Sequence, residues 1–104
     1  MKKRVTGLGG IFFKAENPGK LKEWYKERLG LPVDAYGCSF KWRSEDQPDY
    51  TARTQWSPFE AQTQYFEPSQ KQFMLNYRVE DLAGLLKILK DEGVTIVGKI
   101  EEYS

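Results

Sequence analysis

Residues 9–31 read Gly-Gly-Ile-Phe-Phe-Lys-Ala-Glu-Asn-Pro-Gly-Lys-Leu-Lys-Glu-Trp-Tyr-Lys-Glu-Arg-Leu-Gly-Leu, and two periodicities meet inside this stretch. Up to Ala15 the period is two: Ile11, Phe13 and Ala15 fall on one face, Gly10, Phe12 and Lys14 on the other. This predicts a glycine-loosened strand over 5–15. Asn17-Pro18 then marks a helix start, because an Asn side chain accepts a first-turn N–H and proline lacks only a donor that would be unpaired there. Leu21, Trp24, Tyr25 and Leu29 follow at helical spacing, and Gly30 suits a left-handed stop.

The same grammar returns near the C-terminus. Phe73–Val79 alternates, with Leu75, Tyr77 and Val79 on one face and Met74, Asn76 and Arg78 on the other. Asp81 caps a helix carrying Leu82, Leu85, Leu86 and Leu89, which Gly93 ends. A shift of 64 positions superposes the two units: Lys14 meets Arg78, Glu16 meets Glu80, Asn17 meets Asp81 and Leu21 meets Leu85. Any two capped amphipathic helices after strands share some such matches, but agreement of strand, cap and helix phase together reads as a duplication.

Between the units the sequence predicts further strands. Cys38–Arg43 alternates, and the polar run Ser44–Asp49 with Pro48 makes a turn. Tyr50–Trp56 is a strand that Ser57-Pro58-Phe59 breaks. Gln62–Phe66 is a short edge strand, and Glu67–Lys71 is a linker. Thr95–Ile100 begins a last strand. The expected fold class is therefore α+β, from paired βαβββ modules with the second incomplete: module one over 1–67 and a partial module two over 72–104 of a single domain 1–104. A ferredoxin-like β-α-β-β-α-β arrangement is the competing fold, and it would require 50–66 to be loop.

Composition narrows the chemistry. The chain has 104 residues, with 16 Lys+Arg against 15 Asp+Glu for a net charge of +1. Leu, Ile, Val and Phe make up 24 of the 104, enough for one folded domain and above the disordered range. The basic start, Met-Lys-Lys-Arg, sits on a near-neutral chain without the electrostatic footprint of a nucleic-acid binder. No apolar run is long enough to span a membrane, and no secretory signal is read. The single cysteine, Cys38, allows no internal disulfide and suits a reducing cytoplasm. Histidine is absent, which excludes Ser-His-Asp and Cys-His catalysis and imidazole-built zinc sites.

The Gly-Gly-Ile-Phe-Phe-Lys-Ala-Glu-Asn-Pro segment, the run Trp24-Tyr25-Lys26-Glu27-Arg28-Leu29-Gly30-Leu31 and the second opening Phe73–Leu82 together resemble the glyoxalase/bleomycin-resistance/extradiol-dioxygenase superfamily, the vicinal oxygen chelate fold. The resemblance implies two modules forming a cup-shaped sheet around a pocket, and commonly a homodimer. It also implies a divalent metal held by His, Gln or Glu from four strands. The usual imidazole positions here are Gly10 and Met74. Glycine has no ligand atom and a thioether is soft, so the residues argue against that metal and no cofactor is expected. Gln62 and Gln64 are neutral amides that could add a third ligand.

Within such a cup, strand alternation directs Phe12, Lys14, Asn76 and Arg78 inward with Gly10 and Met74, while Ile11, Phe13, Leu75, Tyr77 and Val79 pack beneath the helices. Phe12 and Met74 would make an apolar floor, Asn76 an orienting hydrogen bond, and Lys14 and Arg78 an anion clamp. The alternative is that Lys14 pairs with Glu16 and Arg78 with Glu80 at the surface. Trp42 and Trp56 are core, pocket wall or dimer contact. Cys38 reads as a packed thiol rather than a nucleophile. Glu101-Glu102 reads as solvated, and no catalytic constellation emerges. The expected function is a metal-free, glyoxalase-like protein binding a small anionic or aromatic ligand through Phe12, Lys14, Trp42, Trp56, Met74, Asn76 and Arg78. A metal-dependent lyase, isomerase or dioxygenase is the alternative. A bleomycin-type resistance protein ranks last, because it needs an acidic groove. An unfinished sheet edge would call for a dimer partner.

Overall fold

The computed structural model describes residues 4–98. Its elements run β1 (Val5–Ala15), α1 (Pro18–Leu29), β2 (Cys38–Arg43), β3 (Thr51–Glu60), β4 (Phe73–Val79) and α2 (Leu82–Asp91). The four strands form one mixed sheet in the order β2-β3-β1-β4, an α+β fold. β1 runs parallel to β3 and antiparallel to β4, while β2 and β3 pair antiparallel.

Both helix starts follow the local chemistry. Asn17 Oδ1 accepts from Lys20 N and Asp81 Oδ1 accepts from Gly84 N, each at 3.1 Å, which satisfies one first-turn donor in each helix. Gly30 closes α1 at φ 70° with its N–H on the Lys26 carbonyl, the left-handed stop that a β-carbon would resist.

The repeat is written into the register. Ile11 pairs with Leu75, its own equivalent at the 64-residue shift. Gly10 pairs with Asn76 and Phe12 with Met74, so the two units meet about a local two-fold through the Ile11–Leu75 pair. Two register shifts, between Val5 and Gly7 and between Leu8 and Gly10, then carry the start of β1 out of step with β4.

Adjacent Phe12 and Phe13 send their rings to opposite faces of β1 and seed two aromatic clusters. On the α1 side Trp56 lies 5.5 Å from Phe13 and 4.9 Å from Tyr25, ring centroid to centroid. On the other side Phe12 meets Phe59 at 5.2 Å, and Phe59 meets Tyr65 and Phe66 at 5.2 and 5.4 Å. Phe66 and Cys38 are the largest fully buried side chains.

Three expected elements differ. Ser57-Pro58-Phe59 does not break a strand: β3 runs on to Glu60, with Pro58 opposite Phe13. β2 accompanies β3 only as far as Trp56, so beyond it one edge lacks a strand neighbour and proline's missing N–H is tolerated. Residues 62–66 form turns rather than an edge strand. Tyr65 and Phe66 are neighbours in sequence yet both reach Phe59, and a strand would send them to opposite faces. The first unit thus has two strands after its helix, not three. Residues 94–97 carry no strand, and the remainder of the expected Thr95–Ile100 strand beyond Gly98 lies outside the described residues, as do Glu101 and Glu102. Leu75 and Tyr77 were expected beneath a helix, but they are 42% and 59% exposed, because α2 does not lie across them. Among the described residues no helix is long and apolar enough to cross a membrane.

Candidate functional site

A pocket of about 440 Å³ opens where the ends of β1, β2 and β4 meet the 44–50 turn. Trp42 from β2 and Ala52 from β3 give it apolar surface, while Thr6, Tyr50, Arg78 and Glu80 supply polar groups along with Ser44, Asp46 and Gln47 of the turn. The turn is set by short hydrogen-bonded steps: Gln47 N donates to Ser44 O at 3.2 Å and Tyr50 N to Gln47 O at 3.1 Å. These bring the Tyr50 ring round to face β4.

Each wall is held from behind. Trp42 Nε1 donates to Thr54 Oγ1 at 2.8 Å, and that hydroxyl donates onward to the Leu8 carbonyl at 2.5 Å. The indole lies so close over Gly7 that a β-carbon there would overlap the six-membered ring, so the tryptophan requires this glycine. Arg78 is fixed at its backbone by Thr6 Oγ1, which donates to the Arg78 carbonyl at 3.1 Å. Its guanidinium lies 5.8 Å from the centroid of the Tyr50 ring, and Nη2 donates to the Tyr50 hydroxyl at 3.3 Å. A guanidinium carries five N–H donors, so this hydrogen bond leaves donors for a carboxylate or phosphate.

The residues expected in one cup are divided among three places. Trp42 and Arg78 share the pocket. Phe12, Met74 and Asn76 are cross-strand neighbours on the β1–β4 ladder, with Phe12 in the Phe59 and Tyr65 cluster. Lys14 sits 5.6 Å from the Phe66 ring centroid, so it does not join Arg78 in a clamp. Trp56 packs against Phe13 and Tyr25 beneath α1, on the face away from Phe12. Arg78 follows Asn76 by two residues on β4, beside Gly9, where a β-carbon would stand 3.2 Å from its Cγ, and its guanidinium reaches on to Tyr50 at the strand end. The surface pairings of Lys14 with Glu16 and Arg78 with Glu80 do not form; among the described residues the salt bridge is Arg4 with Glu92, at 2.9 Å.

Sequence reasoning missed Tyr50, Thr6 and Glu80. Tyr50 looked like the first residue of a strand, and Glu80 looked like a surface partner. The cluster of Gly7, Gly9 and Gly10 was the available signal, since glycine inside a strand marks a bulge or a close approach. Among the described residues that line it, Asp46 and Glu80 stand beside the Arg78 guanidinium, where the cup was expected to be basic.

At the metal position implied by the resemblance, Gly10 brings no ligand atom and Met74 a soft thioether. A β-carbon at Gly10 would stand 3.0 Å from the Phe12 ring and 3.1 Å from Asn76 Nδ2, so these two side chains would have to give way to any side chain there. Gln62 and Gln64 lie in the turn segment and are exposed. The residues present do not fit that metal. Among the described residues no group of three or more His, Cys, Asp or Glu side chains is placed to hold one elsewhere. Cys38 is 1% exposed, and burial pushes its thiol pKa up, with the charge of Asp34 adding to the effect. A neutral, buried thiol is a poor nucleophile.

Comparison with protein-family models, curated proteins and solved structures finds no match to this chain.

Proposed function

We propose that the protein binds a small organic anion with an aromatic group, seated in the Trp42–Arg78 pocket. The observation that carries this reading is the convergence of Arg78, Tyr50 and Trp42. A guanidinium already oriented by a phenol stands beside an indole face, in a pocket large enough for a compact ligand. The ligand's anionic group would take the remaining Arg78 donors, and its ring would lie against Trp42. Ser44 and Gln47 offer further hydrogen bonds at the rim. The glyoxalase-like resemblance supports a binding role for the sheet, though the pocket lies at the strand ends rather than over the β1–β4 ladder. The lone, buried Cys38 fits a reducing cytoplasm as the site of action.

Titration calorimetry of the 104-residue chain with a panel of aromatic monocarboxylates tests the reading. Saturable binding to one site is expected, with Arg78→Ala weakening it by about tenfold or more, as loss of a charge-assisted hydrogen bond implies. Trp42→Ala should weaken aromatic members of the panel more than aliphatic ones. Undiminished affinity in Arg78→Ala would overturn the assignment.

A further inference from the structure

We infer that the ligand of the Trp42–Arg78 pocket is an aromatic α-amino acid, with its carboxylate on Arg78 and Tyr50 and its ammonium on Glu80. This rests on the binding role proposed above and narrows it to a ligand that carries both charges.

The polar groups of the pocket differ in what they have left to offer. Trp42 Nε1–H is spent on Thr54 Oγ1 at 2.8 Å, so the indole presents a ligand with its ring alone. An aromatic side chain suits that surface and a polar head does not. The Tyr50 oxygen accepts from Arg78 Nη2 at 3.3 Å, which turns the phenol's own proton away from the guanidinium. That proton makes no hydrogen bond to another described residue. Arg78 and Tyr50 therefore offer donors side by side, and the two oxygens of a carboxylate match them.

Glu80 is of the opposite kind, since a carboxylate only accepts. It lines the same pocket two residues after Arg78, and Asp46 lines it as well. Glu80 forms neither a hydrogen bond nor an ion pair with another described residue. Beside a ligand that is purely anionic it would face a like charge. An ammonium on the ligand turns that repulsion into an attraction and supplies the donors that Glu80 lacks.

The spacing favours the two heads lying close together on the ligand. Two peptide steps separate the Cα atoms of Arg78 and Glu80 by at most about 7 Å. In an α-amino acid a single carbon joins carboxylate, ammonium and side chain, so the two heads can meet these two residues while the ring lies against Trp42. A pocket of about 440 Å³ is of the size that takes one such molecule.

Titration calorimetry of the full chain with three probes of one skeleton tests the inference. The probes are L-phenylalanine, phenylpropionate, which lacks the ammonium, and phenylethylamine, which lacks the carboxylate. Phenylalanine is expected to bind about fivefold more tightly than phenylpropionate, the worth of one partly exposed ion pair, and phenylethylamine more weakly than either. Glu80→Gln should bring the ratio of the phenylalanine and phenylpropionate dissociation constants close to one. Glu80 is exposed and unpaired, so the substitution removes no packing, and phenylpropionate binding by the variant reports an intact pocket. Equal affinities for the two carboxylates in the parent, both lost in Arg78→Ala, would overturn the amino-acid assignment and leave the anion-binding reading standing. A preference for phenylalanine that survives Glu80→Gln would overturn it in the same way. Failure of phenylalanine and phenylpropionate alike to bind would overturn both.

Discussion

Asn17 and Asp81 cap their helices with the same 3.1 Å hydrogen bond, and both cap carbonyls accept the first helical N–H, from Leu21 at 3.1 Å and from Leu85 at 3.0 Å. Yet α1 lies on β1 and β3, with Tyr25 against Trp56 and Pro18 buried, while in α2 Leu85, Leu86 and Leu89 are half-buried and no residue is fully buried. By sequence the second helix is the more amphipathic, with five leucine or isoleucine residues in ten against two leucines in the twelve of α1. Local signals start a helix in both units, but how firmly its apolar stripe is packed depends on which elements lie against it. In the first unit β3 supplies Trp56 as that cover. In the second, β4 is at the end of the sheet and no further strand continues beneath the helix among the described residues.

The largest contrast should come from truncating the two contact sets. Trp56→Ala removes the ring joining Phe13 and Tyr25, and should cost about 2–3 kcal/mol, below the range for a fully buried tryptophan because this one is half-buried. Leu86→Ala in α2 should cost about 1 kcal/mol or less. Urea denaturation of both variants measures this. Equal midpoints would mean that α2 is as firmly packed as α1.

The caps give a smaller and sharper comparison. Asn17→Ala and Asp81→Ala should each cost about 1 kcal/mol of helix stability. In the first unit that loss should move the global unfolding midpoint, since α1 unfolds with the sheet. In the second it should appear as faster amide exchange over 84–90 with little movement of the midpoint, because a weakly docked helix opens locally. Identical exchange and midpoint responses would remove the distinction.

The smallest effect concerns the tie between the units' ends. Both carboxylate oxygens of Glu92 accept from the Arg4 guanidinium at 2.9 Å. That hydrogen bond, then the Arg4 charge, hold the Glu92 carboxyl below its ordinary value of 4.5. A carboxyl depressed in the folded state adds stability above its unfolded pKa and loses it as pH falls through the folded value. Melting temperatures of the parent and Glu92→Gln should therefore differ slightly near neutrality and converge in acid, and added salt should shrink the difference because the pair is exposed. A difference that persists in acid would assign the effect of Glu92→Gln to something other than charge.

The caps, both helices, β1, β2 and β4 were legible because each rests on residues within a few positions of one another. Asn17 and Lys20, or Asp81 and Gly84, need nothing from elsewhere in the chain. The course of β3 was not legible, because Pro58 breaks a strand or passes through it according to whether a neighbour lies on that edge. The turn at 62–66 was hidden by a two-residue alternation that the Phe59 ring overrode. The candidate site was half legible. Trp42 and Arg78 could be named as binding residues, but their meeting depends on strand ends and a turn far apart in the chain, while Lys14 lies against Phe66 and Trp56 against Phe13 and Tyr25.

By itself the sequence determined the α+β class, the repeated strand-cap-helix unit and the exclusion of imidazole chemistry, since these depend on residue type and short-range spacing. Only the tertiary structure decided which repeated residues share a site and which helix is covered. Both depend on strand register and on position within the sheet, and a displacement of one residue turns a side chain to the opposite face.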